Sequence, residues 1–262
     1  MNAVLCVTCL IYLDNIVVLI RGGIERHVVE LTNGLVGLAP AGQTLKLKKC
    51  LFTASSVEYL GHKLSRDGAR PLSRPVTAVQ EFPRPTDVVK VWLLVHLAVY
   101  YRRFEKVFGS IMAPITRRLR KDVKWTWTHA QAMAFELVKT ILTTKHCLIY
   151  PSFKLLFRVV TDESAVGLGA CLLQNYGNGW QPVAYASKVN NTADSKCGIR
   201  ELEWLAVVWT IKCFRPYLYG RRFTNVTDHS ALKWFMTSSN LTGKLIDGYS
   251  PFSTGQASRT WS

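Results

Sequence analysis

Arg158 to Gln174 reads R-V-V-T-D-E-S-A-V-G-L-G-A-C-L-L-Q. Two apolar, β-prone runs flank a centre holding Gly167 and Gly169, the pattern of adjacent antiparallel strands joined by a turn. The first run closes on Asp162. A carboxylate ending an apolar strand is costly to desolvate unless a cation or a donor lies beside it. Taken alone it has two readings: an Asx cap that opens the turn, or a ligand whose partner is a divalent metal ion.

Working outward, Gln181 to Ser187 reads as a third strand and Ile199 to Phe214 as a helix. At about 100° per residue, Leu202, Leu205, Ala206 and Trp209 share one face, with Glu203 on its border and Glu201 farther round. Arg222 to Thr227 is strand-like and is followed by Asp228; a helix is expected again over Ser230 to Met236. Strand ending in Asp, helix beginning near Glu, strand ending in Asp is an order that can bring three carboxylates to one point. Converging anions repel unless cations neutralise them. Two Mg²⁺ about 4 Å apart suit hard oxygen ligands and would support phosphodiester hydrolysis. Singly, Asp162 and Asp228 also read as caps, and Glu203 as an acid favoured by a helix N-terminus.

Composition narrows the class of partner. The chain has 262 residues, is 48% hydrophobic and carries a formal charge of +16. That length holds one large or two modest cores, and that charge favours a polyanion, nucleic acid first. The longest apolar runs are broken by Asp14, Asn15, Lys90 and His96, and no basic region precedes the first. Neither a membrane helix nor a signal peptide is expected, so the expectation is a soluble protein of cytoplasm or nucleus. Seven scattered cysteines argue against a secreted disulfide framework, and Cys6 and Cys9 lack a second pair that would make a zinc site.

Ala3 to Ile20 reads strand, tight turn, strand around Y-L-D-N, and Glu25 to Leu38 has helical spacing. Leu45 to Gly68 reads as short strands with turns. Pro71 to Pro85 is a boundary, and helices are expected over Val89 to Phe104 and Ala130 to Leu142. The basic groups Lys48 and Lys49, Arg102 and Arg103, and Arg117, Arg118 and Lys121 read as solvated surface, as helix C-terminal charge, or as contacts to a phosphate backbone.

These words resemble those of gypsy-type LTR retrotransposon Pol polyproteins. Y-L-D-N followed by I-V-V-L-I is similar to the palm hairpin of reverse transcriptases, with Asp14 matching the first metal-site Asp and Asn15 standing where a second Asp is usual. Y-L-G-H, Y-Y-R-R-F, A-P-I-T-R-R-L-R-K and W-T-W-T resemble the end of the palm, the thumb and the connection. His96 occupies a position usually held by Gly, and a bulky polar side chain at a close helix contact there would signal damage. T-D-E-S, P-V-A-Y-A-S-K, E-L-E-W-L-A-V-V-W-T-I-K, F-R-P-Y-L-Y-G-R-R-F and V-T-D-H-S-A-L-K-W resemble the ribonuclease H domain.

The resemblance implies an α+β fold: a palm-thumb remnant, then an incomplete ribonuclease H-like mixed sheet with packed helices. It implies palm over 1–85, thumb and connection over 86–150, ribonuclease H over 151–245, and an unrelated tail over 246–262 without a matching strand. It implies Asp162, Glu203 and Asp228 as ligands of two Mg²⁺ that cut the RNA strand of an RNA–DNA hybrid, with a fourth metal-site Asp lacking a counterpart. It further implies that polymerisation by this chain alone is lost, and it leaves a basic nucleic-acid-binding remnant without chemistry as the alternative. Other Pol-derived domains are the expected protein partners.

Overall fold

The structure is a computed structural model that describes residues 9–12, 15–18, 22–38, 40, 42, 44–99, 101–119, 123–143, 147–226 and 260–261. It divides into two compact units, which part between Arg66 and Asp67.

In the first unit, β1 (Cys9–Tyr12) and β2 (Asn15–Val18) form an antiparallel hairpin with Tyr12 opposite Asn15. The register leaves two residues for the turn, as the Y-L-D-N reading required. Helix α1 (Ile24–Leu38) follows. A second hairpin joins β3 (Ser56–Tyr59) to β4 (His62–Ser65) with Tyr59 opposite His62. Its loop residues Leu60 and Gly61 have φ of 46° and 77°. Positive φ at both central positions is the turn geometry that matches strand twist, and it is one a leucine adopts under strain.

The second unit opens with β5 (Gly68–Pro71), whose Ala69 exchanges two backbone hydrogen bonds with Leu148. Helix α2 (Ser73–Gln80) forms inside the proline-rich stretch because Pro75 falls in its first turn, where a missing N–H leaves no bond unmade. Asp87 starts α3 (Val88–Val99) by accepting a 2.9 Å hydrogen bond from the Lys90 N–H. The α-helix expected as far as Phe104 stops at Val99, and Arg102–Phe104 continue as one 3-10 turn. Helix α4 (Phe108–Thr116) was not legible in the sequence, and α5 (His129–Thr143) was. Val91, Leu94 and Ala98 of α3 pack with Phe108, Met112 and Ile115 of α4, Phe135 and Val138 of α5, and Val79 of α2. His96 does not sit at a close helix contact: it is exposed and lies against Trp92, the rings tilted by 49° with centroids 3.9 Å apart, so its bulk is accommodated in solvent.

Beyond these helices lies a five-stranded mixed sheet. Its strands are β6 (Phe157–Glu163), β7 (Gly167–Asn175), β8 (Trp180–Val189), β9 (Phe223–Val226) and β10 (Thr260–Trp261). The spatial order is β10, β9, β6, β7, β8. β6, β7 and β8 are an antiparallel meander; β9 runs parallel to β6 and needs a crossover, which α6 (Ile199–Cys213) and α7 (Arg215–Leu218) supply. Pro182 lies on outer strand β8 at a register shift, where a missing donor is tolerated. Thr260 and Trp261 pair in parallel with Thr224 and Asn225, extending the sheet past β9 with two β-prone residues. Phe157, Val159 and Leu172 bury one sheet face against Phe214 and Leu218. Among the described residues no helix is long and apolar enough to cross a membrane.

Candidate active site

Strand alternation fixes where Asp162 looks. Phe157 and Val159 face α6 and α7, so Arg158, Val160 and Asp162 lie on the opposite face. The register partner of Asp162 is Gly169. A Cβ on Gly169 would stand 2.9 Å from the Lys106 carbonyl oxygen, so the bare glycine lets the segment before α4 lie flat on the sheet. From there Lys106 Nζ reaches 3.1 Å from Asp162 Oδ2, whose side chain is 50% exposed. The same face carries α4 close against β8: the Gly109 N–H donates to Ser187 Oγ at 3.0 Å, satisfying one of the N–H groups a helix start leaves open.

Glu201 and Glu203 part company on α6. Glu201 Oε2 accepts a 3.1 Å hydrogen bond from the Gly198 N–H and caps its own helix. Glu203 is 1% exposed, not at the border of the buried face where its spacing put it. The buried stripe is wider than an amphipathic reading allows and takes in Leu202, Glu203, Ala206, Val207 and Thr210. Leu202 and Ala206 form a cluster with Leu168, and Leu168 is the register partner of Glu163. The first turns of α6 therefore cover the end of the sheet at which β6 reaches Asp162.

Asp228 and Asp14 lie outside the described residues, as does Lys121. β9 ends at Val226, level with Val160 of β6 and two residues short of the level of Asp162. Among the described residues no three His, Cys, Asp or Glu side chains gather as a metal-ligand set. The carboxylates present are hard donors of the kind Mg²⁺ takes, and the ammonium of Lys106 already rests against Asp162, so a cation is accommodated at that oxygen.

Of the basic candidates, Lys48 and Lys49 are exposed on a 3-10 turn of the first unit, and Arg102 and Arg103 are exposed after α3. Arg117 and Arg118 follow α4 and line a cleft of about 380 Å³ with Pro114, Val123, Ala130 and Gln131. Lys106 is the residue sequence reasoning missed: only the fold carries it to Asp162, from 56 positions away in the chain. On the same sheet face burial raises the Cys171 thiol to about 12, and burial, then the neighbouring Cys171, raises the Tyr185 phenol to about 12. Both stay neutral at physiological pH.

Residues 127–225 match the family described as "RNase H-like domain found in reverse transcriptase". Over 90% of its length the chain is 35% identical to the retrovirus-related Pol polyprotein from transposon 412 of Drosophila melanogaster, covering 19% of it. It is 32% identical to that from transposon gypsy of the same organism, again over 90% of this chain and 24% of the relative. The chain thus spans about a fifth to a quarter of these relatives. The foamy viral protease-reverse transcriptase, solved with double-stranded DNA and with an RNA/DNA hybrid, superposes with TM-scores of 0.80 and 0.77. The identities are 18% and 17%, over 97% of this chain and 46% and 35% of the viral ones, so this likeness concerns the fold.

Proposed function

We propose that this chain, a sequence relative of the Pol polyproteins of gypsy and other LTR retrotransposons, is the ribonuclease H part of a reverse transcriptase and cuts the RNA strand of RNA–DNA hybrids. The observation that carries the reading is that β6 delivers a half-exposed Asp162 to the end of the sheet that α6, packed on the other face, covers with the turn bearing Glu203. Asp162 and Glu203 would hold divalent metal, together with Asp228, which follows two residues after the last residue of β9. Bound Mg²⁺ would supply charge for an attacking water and for the leaving oxygen. Asp162 is half-exposed and can admit a phosphodiester, whereas Glu203 is buried and would hold its position through helix packing. Exposed Lys48, Lys49, Arg102, Arg103 and Arg117, with half-buried Arg118 and with Lys121, would carry the strand backbones. Polymerisation is assigned to other parts of a longer Pol protein, since Asn15 brings no charge to the palm site.

The test is cleavage of a labelled RNA–DNA hybrid by the purified chain in Mg²⁺. Cutting that disappears in Asp162→Asn and in Glu203→Gln supports the assignment, and cutting indifferent to both ends it. A second reading, binding of nucleic acid without chemistry, is favoured by the ammonium already seated on Asp162. It expects salt-sensitive binding of hybrid and duplex alike with no cleavage.

A further inference from the structure

The sheet has a second end, and its surface is unlike the first. β6 begins at Phe157, β7 ends at Asn175, β8 begins at Trp180 and β9 begins at Phe223, so all four meet about 13 Å or more from Asp162 along β6. Phe153 is 49% exposed there, Trp180 38% and Tyr219 68%. Each ring carries a guanidinium: Arg221 lies 4.4 Å from the Phe153 centroid, Arg158 4.1 Å from Trp180 and Arg215 5.1 Å from Tyr219. The loop bearing Phe153 is fixed, because buried Gln174 donates to the Ser152 and Leu155 carbonyls and accepts from the Ser152 N–H, at 2.8 to 3.1 Å. Arg221 also donates to the Phe153 carbonyl at 3.1 Å.

Charge identifies the occupant. The three segments that build this end, 150–158, 172–182 and 211–226, contain six Lys or Arg and no Asp or Glu. An acid-free surface of rings braced by guanidinium groups offers stacking planes and phosphate partners together, the combination that binds unpaired bases. We infer that the end of the sheet formed by Phe153, Arg158, Trp180, Tyr219 and Arg221 is a binding site for single-stranded nucleic acid, separate from the carboxylate end. The site needs no metal and does not depend on the nuclease reading.

The experiment is fluorescence anisotropy of a labelled oligothymidylate with the whole chain in EDTA, beside an abasic strand of equal charge and a polyglutamate competitor. Trp180→Ala is expected to weaken oligothymidylate binding ~10-fold and to leave abasic binding unchanged, as loss of one stacked base predicts. Trp180→Phe, which keeps a ring, is expected to retain most of the affinity. Lys154→Glu with Arg222→Glu, both exposed in the wild type, is expected to flatten the salt dependence by ~0.7 for each phosphate no longer neutralised. Unchanged binding in Trp180→Ala and in the charge variant overturns the site. So does polyglutamate competing as well as oligothymidylate, or equal losses on the base-bearing and abasic strands. Melting curves of each variant separate lost binding from lost fold.

Discussion

Lys106 Nζ and Asp162 Oδ2 lie 3.1 Å apart, an ion pair between the segment that leads into α4 and the end of the first strand of the mixed sheet. A half-exposed pair of this kind contributes ~0–1 kcal/mol. It is strong enough to compete with a weakly held metal and too weak to exclude one. Lys106→Gln is therefore expected to tighten Mn²⁺ binding up to ~5-fold in a calorimetric titration, and Asp162→Asn to weaken it. Equal affinities in Lys106→Gln and wild type would show that the ammonium leaves when metal arrives at no measurable expense.

Gly167 is where two backbones meet. A Cβ there would collide with the Lys188 carbonyl oxygen and stand 2.9 Å from Ser110 Oγ, and neither strand can retreat without opening the sheet. Gly167→Ala is expected to destabilise by ~1–3 kcal/mol in denaturant titration. Gly34, inside α1 with nothing within 4 Å of where a Cβ would stand, provides the contrast: Gly34→Ala should stabilise by ~0.5–1 kcal/mol.

Gln174 is fully buried and ties down the loop before β6 with three hydrogen bonds. Gln174→Leu keeps the volume and strands the Ser152 and Leu155 groups, so a loss of ~1–3 kcal/mol is expected. Hydrogen exchange should speed up first at Ser152 N–H. Exchange at wild-type rate there would mean that another group takes over the clamp.

Leu60 sits at φ 46° in the β3–β4 turn, where asparagine or glycine is at ease. Leu60→Asn is expected to raise stability by ~1 kcal/mol, the left-handed penalty relieved. A lower melting temperature would mean that the leucine side chain contributes more packing than its 45% exposure suggests.

Cys171 and Tyr185 are register partners on β7 and β8, and both titrate upward in the folded state because burial disfavours their anions. The thiol moves from 9.0 to about 12. A pKa raised by folding gives stability that is whole below the unfolded value and is lost as pH climbs through the folded one. Stability should hold to about pH 8–9 and decline toward pH 12, with Cys171→Ala flattening the decline. At pH 8 iodoacetamide should modify exposed Cys213 and spare Cys171, read by mass spectrometry.

Local pattern carried much of this fold. Alternation around Gly167 and Gly169 marked β6 and β7, and the Y-L-D-N turn marked the first hairpin, because two-residue turns and period-two strands are written in neighbouring residues. α4 was hidden by Pro114, which lies inside the helix and forgoes the bond its N–H would have made to the Ser110 carbonyl, and by Gly109, whose N–H is satisfied from β8 at Ser187. The early end of α3 and the full burial of Glu203 follow from tertiary packing, which helical spacing does not encode. Asp162 was legible as a carboxylate in search of a cation; that a lysine of the helical segment supplies one was not.

The glycine-to-backbone fit of α4 on β7 and β8 has a practical consequence for anyone dividing this protein. A cut placed at residue 127, where the family match starts, or at Pro151, removes Lys106, Gly109 and Ser110 from the sheet they cover. The shortest piece that keeps both sides of the sheet dressed begins before Lys106, and a shorter one would present a bare, sticky wall around Gly169 and Ser187.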